Sequence, residues 1–412
     1  MSLLVLVLAA FLVPSLSLPQ ALVAIVAGIA IGCTMLGLAG MIGADARVPA
    51  MVLMRAPLGH RGSYAPTVLN VVQGLGWATF ELIVIAAAAG ALSNELLGFR
   101  ATSFWTIVFG AVAAAMALAG PIGVVRRFIR KIALWAVPAS LVYLTAWALT
   151  REDVGNLWGQ PGEGGSIWLG IDLVVAITVS WIPLAADYTR FATGRRAALI
   201  GTGVGYAIGS AWMLLLGVVL VLARGLSDPV GLPVAVAAAG VAAALALLAV
   251  TVDETDEAFA NVYSTAVSIQ NLAPELPQRL LIAAVAVLAT VGALAIDIRN
   301  YETYLLLLGS VFVPLFGVLL ADWLLSGRRY DRDDVFAAPP FRAGPVAAWV
   351  AGFALYHWLH QPPLGPSWWV DLVERTNPPE LGVGATLPSF ALAFGLTALL
   401  GAVRREPAAA EV

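Results

Sequence analysis

Apolar segments of about 20 residues recur along the whole chain, and this is the length that an α-helix needs to cross the hydrocarbon core of a bilayer. With 60% hydrophobic and only 11% charged residues, the chain falls outside the class of soluble globular proteins. The sequence therefore predicts an all-α protein that crosses the lipid bilayer many times.

We count twelve apolar segments and call them spans 1 to 12. Polar or turn-forming stretches separate them, for example 59–63 and 326–334. Their predicted bounds, in order, are 2–18, 20–43, 64–93, 102–120, 128–150, 168–188, 200–223, 240–270, 278–297, 301–325, 343–360 and 384–403.

The Lys and Arg residues are distributed unequally between the two sides of the membrane. Seventeen of the 22 follow even-numbered spans, whereas five lie in loops after odd-numbered spans. Cytoplasmic loops carry the excess of these residues, so both termini are predicted to be cytoplasmic, in a protein of the cytoplasmic membrane. The net charge of −3 gives no reason to expect a nucleic acid partner, and no obligate protein partner is evident.

Two features interrupt the regular succession of spans. Residues 229–270 are apolar over roughly twice the length of one span, so we expect 231–240 to form a short re-entrant or capping helix on the outer side. In span 6, Ser180–Pro183 predicts a break, because proline lacks an N–H group and clashes with the preceding turn. Interrupted helices at membrane depth mainly line cavities, and they are typical of transporter binding sites.

Span 8 contains the acidic run 253–257, in which four of five residues are Asp or Glu. Carboxylates are costly in hydrocarbon and normally mark a route for ions or substrates. Most of these acidic residues lie on one face of the helix, where they offer oxygen ligands to a hard cation or a titratable site to a proton. Glu254 points away from this face. A loop outside the membrane is the alternative, but an extra crossing would weaken the charge asymmetry. Helical spacing places on this one stripe Asp253, Asp256, Glu257, Asn261, Ser264 and Ser268.

Span 3 carries a second polar stripe, formed by Asn70, Gln73, Trp77 and Glu81. Gln73 offers a donor and an acceptor to a planar amide-like edge, and Trp77 offers a stacking face. Trp77 lies about 14 residues into the span, roughly 21 Å along the helix, which is near the middle of the bilayer. Both residues are therefore candidates for ligand contact.

Span 6 adds hydroxyl and aromatic side chains at its break, namely Thr178, Ser180 and Trp181. Farther toward the cytoplasm, Asp187 and Arg190 are predicted to form a structural pair that closes the inner end of this span.

Together these elements resemble the nucleobase–cation symporter-1 family, the permeases for cytosine, purines, allantoin and related compounds. Within the family the chain is most similar to the cytosine and hydroxymethylpyrimidine permeases. The matching stretches follow the family's order over essentially the whole chain. They are PxMVLxRAPLGHRGS at 49–63, QGLGWATFEL at 73–82, SWIPLAADYTRF at 180–191, DETDEAFANVYSTAVSIQNL at 253–272 and GSVFVPLFGVLLADW at 309–323.

The resemblance implies a twelve-helix protein with a sodium/leucine-transporter-like fold. Spans 1–5 and 6–10 would form an inverted repeat with breaks in spans 1 and 6, followed by two C-terminal helices. Residues 1–325 would then be the transporter core, and 326–412 a cytoplasmic loop, spans 11 and 12 and a short tail. The family's first span begins well before the point that matches Met1, so we expect span 1 to be truncated at its N-terminal end.

The same resemblance implies where ligands bind, between spans 1, 3, 6 and 8. A Gln and a Trp of span 3 that bind the flat base match Gln73 and Trp77. In span 6 a serine of the family's binding site matches Ser180. The family's second stacking aromatic is replaced here by Thr178, and Trp181 is a substitute for that stacking face. In span 8 the residue that contacts substrate matches Asn261. The residues that match a Na⁺ site are Thr255 and Asp256, and Asp253 and Glu257 complete the predicted cation-coupling set.

The leading hypothesis is a secondary active transporter that imports a nucleobase or related pyrimidine with Na⁺ or H⁺ by alternating access, without a bound cofactor. One alternative is a symporter of another small solute, such as allantoin, a hydantoin or an amino acid. Another is a membrane prenyltransferase that holds Mg²⁺ at Asp253 and Asp256. That enzyme needs a second facing acidic segment, and the nearest match, 331–334, lies in a basic loop.

Overall fold

The structure, a computed structural model, describes residues 2–99, 101–124, 134–226, 231, 235–236, 241–296, 301–360, 366–376 and 384–403. Helices account for most of these residues, and no β-strand occurs among them. Most of the predicted re-entrant helix, at 232–234 and 237–240, lies outside the described residues.

Each of the twelve predicted spans corresponds to a helix, or in span 6 to two helices. Seven of the described helices, including the two helices of span 6 taken as one, are both long and apolar enough to cross a membrane. In span order the helices are Leu3–Leu12, Leu18–Ala46, Tyr64–Leu97, Thr102–Val124, Leu134–Arg151, Ile167–Val179 with Ile182–Thr189, Arg195–Arg224, Val241–Leu272, Gln278–Ala295, Tyr301–Leu325, Ala343–Leu359 and Thr386–Val403.

Span 1 ends earlier than its hydropathy predicts, and the span 4 helix is interrupted at its predicted end. The span 1 helix ends at Leu12, because Val13 is extended and Pro14 follows it. In span 4, Gly120 adopts a φ of 74°, a left-handed conformation that interrupts the helix immediately before Pro121. The interruption in span 4 coincides with the predicted end at residue 120. In span 1 the apolar residues continue beyond Leu12, so hydropathy alone predicts this span too long.

Short helices occupy some of the connections between spans. Between spans 2 and 3 the chain forms Ala50–Leu53 and Arg55–Leu58, and Arg332–Phe336 lies between spans 10 and 11. The loop at His60 and Arg61 donates backbone hydrogen bonds to the carbonyls of Pro339 and Pro340. Two further short helices are Val154–Trp158 and Ser367–Thr376.

A buried polar cluster lies near the start of the loop between spans 10 and 11. Asp322 forms an ion pair with Arg342 at 2.7 Å and accepts a hydrogen bond from the Tyr330 hydroxyl at 2.8 Å. Arg342 also donates to the Ala56 carbonyl at 2.5 Å. Burial, followed by the charge of Asp322, raises the pKa of Tyr330 well above its ordinary value. The hydroxyl therefore remains a donor throughout the neutral pH range.

The described residues form two compact units. The first comprises 1–26, 69–170 and 206–301, and the second comprises 27–68, 171–205 and 302–412. Span 8 and most of span 3 belong to the first unit, whereas span 6 from Ile171 onward belongs to the second.

In the second unit, spans 2 and 6 approach each other closely through glycines. A Cβ atom added at Gly28 would lie 2.6 Å from Val174 Cβ, and one at Gly32 would lie 2.7 Å from Thr178 Cβ. Small residues at such positions allow helix backbones to approach in membranes.

Candidate functional site

Spans 3 and 8 pack against each other in antiparallel register within the first unit. Asn70 Nδ2 donates to Ser268 Oγ at 2.9 Å, and the span 8 partner of Glu81 is Asn261. Between these contacts, an added Cβ atom at Gly74 would overlap the Thr265 hydroxyl. As residue numbers rise along span 3 they fall along span 8, as expected for neighbouring helices of opposite direction.

Asn261 connects the two spans at one end of this contact. Its Nδ2 donates to Glu81 Oε1 at 2.9 Å and to the backbone carbonyl of Glu257 at 3.2 Å. Asn261 is 2% exposed and Glu81 is 1% exposed. The second carboxyl oxygen, Glu81 Oε2, is buried and has no hydrogen-bond partner among the described residues. A buried acceptor without a partner costs free energy, which makes this atom a candidate for contact with a ligand donor.

Gln73 and Trp77 are buried on the same face of span 3 as Glu81. Gln73 Nε2 donates to Asn70 Oδ1 at 3.2 Å, which joins it to the hydrogen bond between Asn70 and Ser268. The Trp77 ring meets the Tyr301 ring edge-on, with 5.7 Å between centroids. This stripe therefore presents amide, aromatic and carboxyl groups on successive helical turns.

Tyr301 is the centre of an aromatic cluster in the same unit. Its ring lies 5.8 Å from that of Phe11 in span 1 and 5.5 Å from that of Phe80 in span 3. Tyr301 is fully buried at the beginning of span 10. Nothing local in the sequence indicates which rings will meet, so the sequence alone does not identify Tyr301 as a member of the site.

The acidic run 253–257 lies inside the continuous helix Val241–Leu272, so it is not an extramembrane loop between two shorter helices. Thr255 donates its hydroxyl hydrogen to the Val252 carbonyl at 2.6 Å, which leaves the oxygen lone pairs available. Thr255 and Asp253 are buried, while Asp256 and Glu257 are partly buried. Hydroxyl and carboxylate oxygens are the ligands that a hard cation such as Na⁺ prefers.

Glu254 is completely buried, although its side chain was expected to point away from the polar stripe. It accepts hydrogen bonds from the Ser2 hydroxyl at 2.8 Å and from the Leu3 N–H at 2.5 Å. The residue thus contacts the beginning of the span 1 helix. A helical projection of span 8 alone could exclude it from one face but could not identify a neighbour on another.

In the second unit, span 6 breaks where proline and the preceding polar residues predict it. Its first helix ends at Val179 and its second begins at Ile182, with Pro183 in the first turn of the second helix. Thr178 and Ser180 donate to the carbonyls of Val174 and Ile177 at 3.0 and 2.7 Å. The ligand roles of Thr178, Ser180 and Trp181 remain predictions.

Asp187, near the end of span 6, contacts the connection between spans 2 and 3. Its Oδ1 accepts a hydrogen bond from the Ala50 N–H at 2.9 Å, at the start of the short helix Ala50–Leu53. This supports the structural role expected for Asp187, since one of the first N–H groups of that helix needs such a partner.

No group of three or more His, Cys, Asp or Glu side chains that could hold a metal ion occurs among the residues the structure describes. The two histidines of span 11 contact hydroxyl-bearing residues instead. His357 Nε2 lies 3.0 Å from Ser310 Oγ, and the His360 ring stacks on Tyr356.

Residues 1–369 match the family model described as the permease for cytosine/purines, uracil, thiamine and allantoin. The cytosine permease of Escherichia coli O157:H7 is 24% identical over 330 residues, which cover 78% of this chain and 74% of that protein.

Among solved structures, the nucleobase–cation-symport-1 family transporter Mhp1, closed with bromovinylhydantoin bound, superposes with a TM-score of 0.73. It is 20% identical, and the match covers 98% of this chain and 89% of that one. A Na⁺-coupled sialic acid symporter matches with a TM-score of 0.57 at 11% identity, covering 97% of this chain and 90% of the other. These likenesses confirm the sodium/leucine-transporter-like fold expected from the sequence.

Proposed function

The chain belongs to the family of permeases for cytosine/purines, uracil, thiamine and allantoin, and we propose that it is a secondary active transporter for a nucleobase or a related pyrimidine. Cytosine and hydroxymethylpyrimidine are the substrates that we favour. Import by alternating access would be driven by co-transported Na⁺ or H⁺, without a bound cofactor.

The observation that carries this proposal is the buried stripe of Gln73, Trp77 and Glu81 beside Asn261. A nucleobase is flat and carries hydrogen-bond donors and acceptors on its edge. Trp77 would supply a stacking face, and the amide and carboxyl groups would bond to that edge.

Glu81 favours a substrate that presents N–H groups. Its Oε1 already accepts from Asn261, so Oε2 is the acceptor that remains for an amino or ring N–H group. Cytosine and hydroxymethylpyrimidine both carry an exocyclic amino group next to a ring nitrogen. We therefore add Glu81 to the proposed substrate residues Gln73, Trp77, Asn261, Thr178, Ser180 and Trp181.

We assign cation coupling to Thr255 and Asp256, with Asp253 and Glu257 as further members of the set. Support comes from their oxygen atoms on one turn of span 8 and from the burial of Asp253 and Thr255. Either a Na⁺ ion or a proton suits carboxylate oxygens, and imposed gradients of each ion distinguish the two.

The protein is an integral membrane protein. We propose that it lies in the cytoplasmic membrane with both termini in the cytoplasm, because seventeen of the 22 Lys and Arg residues follow even-numbered spans. We also retain the division into a core at 1–325 and a C-terminal part at 326–412.

Among the alternative substrates, amino acids are less consistent with the site. The amino and carboxyl groups common to all amino acids lie on a tetrahedral carbon, so they present no flat ring edge to Trp77 and Glu81. Allantoin and hydantoins remain competitors, since they also present N–H groups. A membrane prenyltransferase is disfavoured by membership of a permease family.

The decisive experiment is uptake into proteoliposomes of labelled cytosine, hydroxymethylpyrimidine, uracil and allantoin under imposed Na⁺ or H⁺ gradients. We expect saturable, gradient-driven uptake of an aminopyrimidine, absent from protein-free liposomes. Uptake of none of the four compounds under either gradient would overturn the proposal.

Asp256→Asn tests the coupling assignment in the same assay. The variant removes one carboxyl group from residues 253–257, which we call the cation-coupling turn. This loss should raise the half-saturating concentration of the driving ion by roughly tenfold or more. The matched control is Asp371→Asn, on an exposed part of the helix Ser367–Thr376. An unchanged ion dependence in the Asp256 variant would remove this residue from the coupling set.

A further inference from the structure

Glu254 connects the cation-coupling turn of span 8 to the beginning of span 1. Its carboxyl group faces three donors: the Ser2 hydroxyl at 2.8 Å, the Leu3 N–H at 2.5 Å and the Leu4 N–H at 3.4 Å. All three lie at the N-terminal end of the helix Leu3–Leu12. Glu254 and Leu3 are at most 1% exposed, so the contact is fully buried.

The contact satisfies a specific need of the span 1 helix. The first N–H groups of any helix lack partners within it, and in hydrocarbon there is no water to replace them. Ser2 caps the helix by accepting from the Leu4 N–H at 3.1 Å, and its own hydroxyl hydrogen goes to Glu254.

The remainder of the span 1 helix is held by other neighbours in the same unit. An added Cβ atom at Gly217 of span 7 would overlap the Leu6 carbonyl, and Phe11 packs against Tyr301. Span 7 and the aromatic cluster thus contact the middle and the far end of the helix, whereas Glu254 contacts its beginning. Span 8 therefore fixes the position of the N-terminal end of the span 1 helix.

Glu254 immediately precedes Thr255 and Asp256 in the chain. A helical turn has a fixed geometry, so any shift of Glu254 also shifts the next two residues. We propose that Glu254 is a positioning residue, which holds the N-terminal end of the span 1 helix in register with the cation-coupling turn of span 8. The inference rests on the proposed function, because it takes Thr255 and Asp256 as the coupling residues.

Glu254→Gln is the first test, because it retains the shape of the side chain and replaces one of the two acceptor oxygens by an NH₂ group. Hydrogen exchange is carried out on the full chain in nanodiscs and is measured by mass spectrometry of peptides that cover residues 2–12. In the variant, the first amides of these peptides should exchange roughly ten- to hundredfold faster than in the wild type. Peptides from span 9 should exchange as in the wild type. The matched control is Glu275→Gln, at an exposed acid in the loop after span 8. It should leave exchange unchanged both in the peptides covering 2–12 and in those from span 9.

Uptake kinetics separate positioning from a purely structural cap. In Glu254→Gln we expect the half-saturating concentration of the ion that drives wild-type uptake to rise about tenfold or more. A cap that only stabilises the fold would instead lower the maximal rate and the protein yield at an unchanged ion dependence, and that result would overturn the inference.

Ser2→Ala keeps the inference testable if the Glu254 variant does not fold. It removes one of the three donors and leaves the carboxyl group in place, so a smaller change in the same direction is expected. If the wild-type protein shows no gradient-driven uptake, the proposed function is contradicted. The exchange experiment still reports on the contact between Glu254 and the span 1 helix in that case. Wild-type exchange rates at residues 2–12 in both variants would contradict the inference alone.

Discussion

At the scale of single residues, Trp77 is the side chain on which the proposed recognition of a flat base most depends. It is 5% exposed, lies one turn from Glu81 and is held edge-on by Tyr301. Stacking of a base on an aromatic ring contributes about 1–3 kcal/mol. Removal of the ring therefore removes a contribution that hydrogen bonds along one edge do not replace.

We predict that Trp77→Ala abolishes saturable uptake at micromolar substrate while membrane expression is retained. The lost stacking corresponds to a rise in the half-saturating concentration of roughly ten- to hundredfold. Trp135→Ala is the matched control, because that ring is 73% exposed on span 5. Normal uptake by the Trp77 variant would show that this residue does not contact substrate.

Tyr330 gives a prediction with a defined pH dependence. Its pKa is raised, first by burial and then by the charge of Asp322, so its contribution to stability is complete below the ordinary pKa of 10.0 and is lost only as pH rises through the raised value. Tyr330→Phe should lower the unfolding free energy by about 1–3 kcal/mol, equally at pH 6 and pH 9.

Thermal unfolding in detergent measures the Tyr330 effect, with Tyr143→Phe on the exposed side of span 5 as control. A difference between wild type and Tyr330→Phe that disappears by pH 9 would mean that the pKa of the hydroxyl lies below its ordinary value of 10.0. The assigned donation to Asp322 would then be wrong.

The sequence predicted which polar and aromatic residues belong to the candidate site, but it predicted few of the contacts between them. Gln73, Trp77 and Asn261 were identified as polar or aromatic residues at membrane depth, and they are all buried. Glu81 belonged to the same stripe, yet its bond to Asn261 depends on the register of two helices far apart in the chain. Glu254 was set aside because helical periodicity describes one helix and not the helices around it.

At the scale of helices, Gly74 sets how closely spans 3 and 8 approach. An added Cβ atom there would overlap Thr265 Oγ1, a buried oxygen without a hydrogen-bond partner among the described residues. This close approach is what allows the short side chains of Asn261 and Glu81 to meet.

We therefore predict that Gly74→Ala lowers the unfolding free energy by about 1–3 kcal/mol through overpacking. Combining it with Thr265→Ala should restore part of the loss, because the overlapping hydroxyl is gone. Gly201→Ala on span 7 has open space around the new methyl group and should be neutral or slightly stabilising. If Gly74→Ala behaves like Gly201→Ala in thermal unfolding, the close packing of the two spans is not required.

Helices were more predictable than contacts, because hydropathy and length determine them locally. Span 10 was predicted at 301–325 and forms Tyr301–Leu325, and the break in span 6 follows from Pro183. Span 1 was predicted too long, since apolar residues continue beyond Leu12 where the backbone becomes extended. The domain boundary at 325 remains a prediction.

At the scale of the whole molecule, the proposed orientation predicts which loops face the outside. In a Cys33→Ala background, a cysteine at Glu163, in the loop after span 5, should react with a membrane-impermeant maleimide in intact cells. One at Arg329, after span 10, should react only after permeabilisation. Both positions are exposed, so access to the reagent is not limited by burial. The reverse pattern would place the termini outside.

The turn at 253–257 has one further consequence. Its members serve different neighbours: Glu254 bonds to span 1, Thr255 to the Val252 carbonyl, and the Glu257 carbonyl accepts from Asn261. The number of acidic groups in this turn is therefore less informative than their order. Exchanging Glu254 with Thr255 would conserve composition and net charge, yet it would leave both the span 1 helix and the cation-coupling turn without the group each requires. Relatives with equally acidic turns in a different order need not work in the same way.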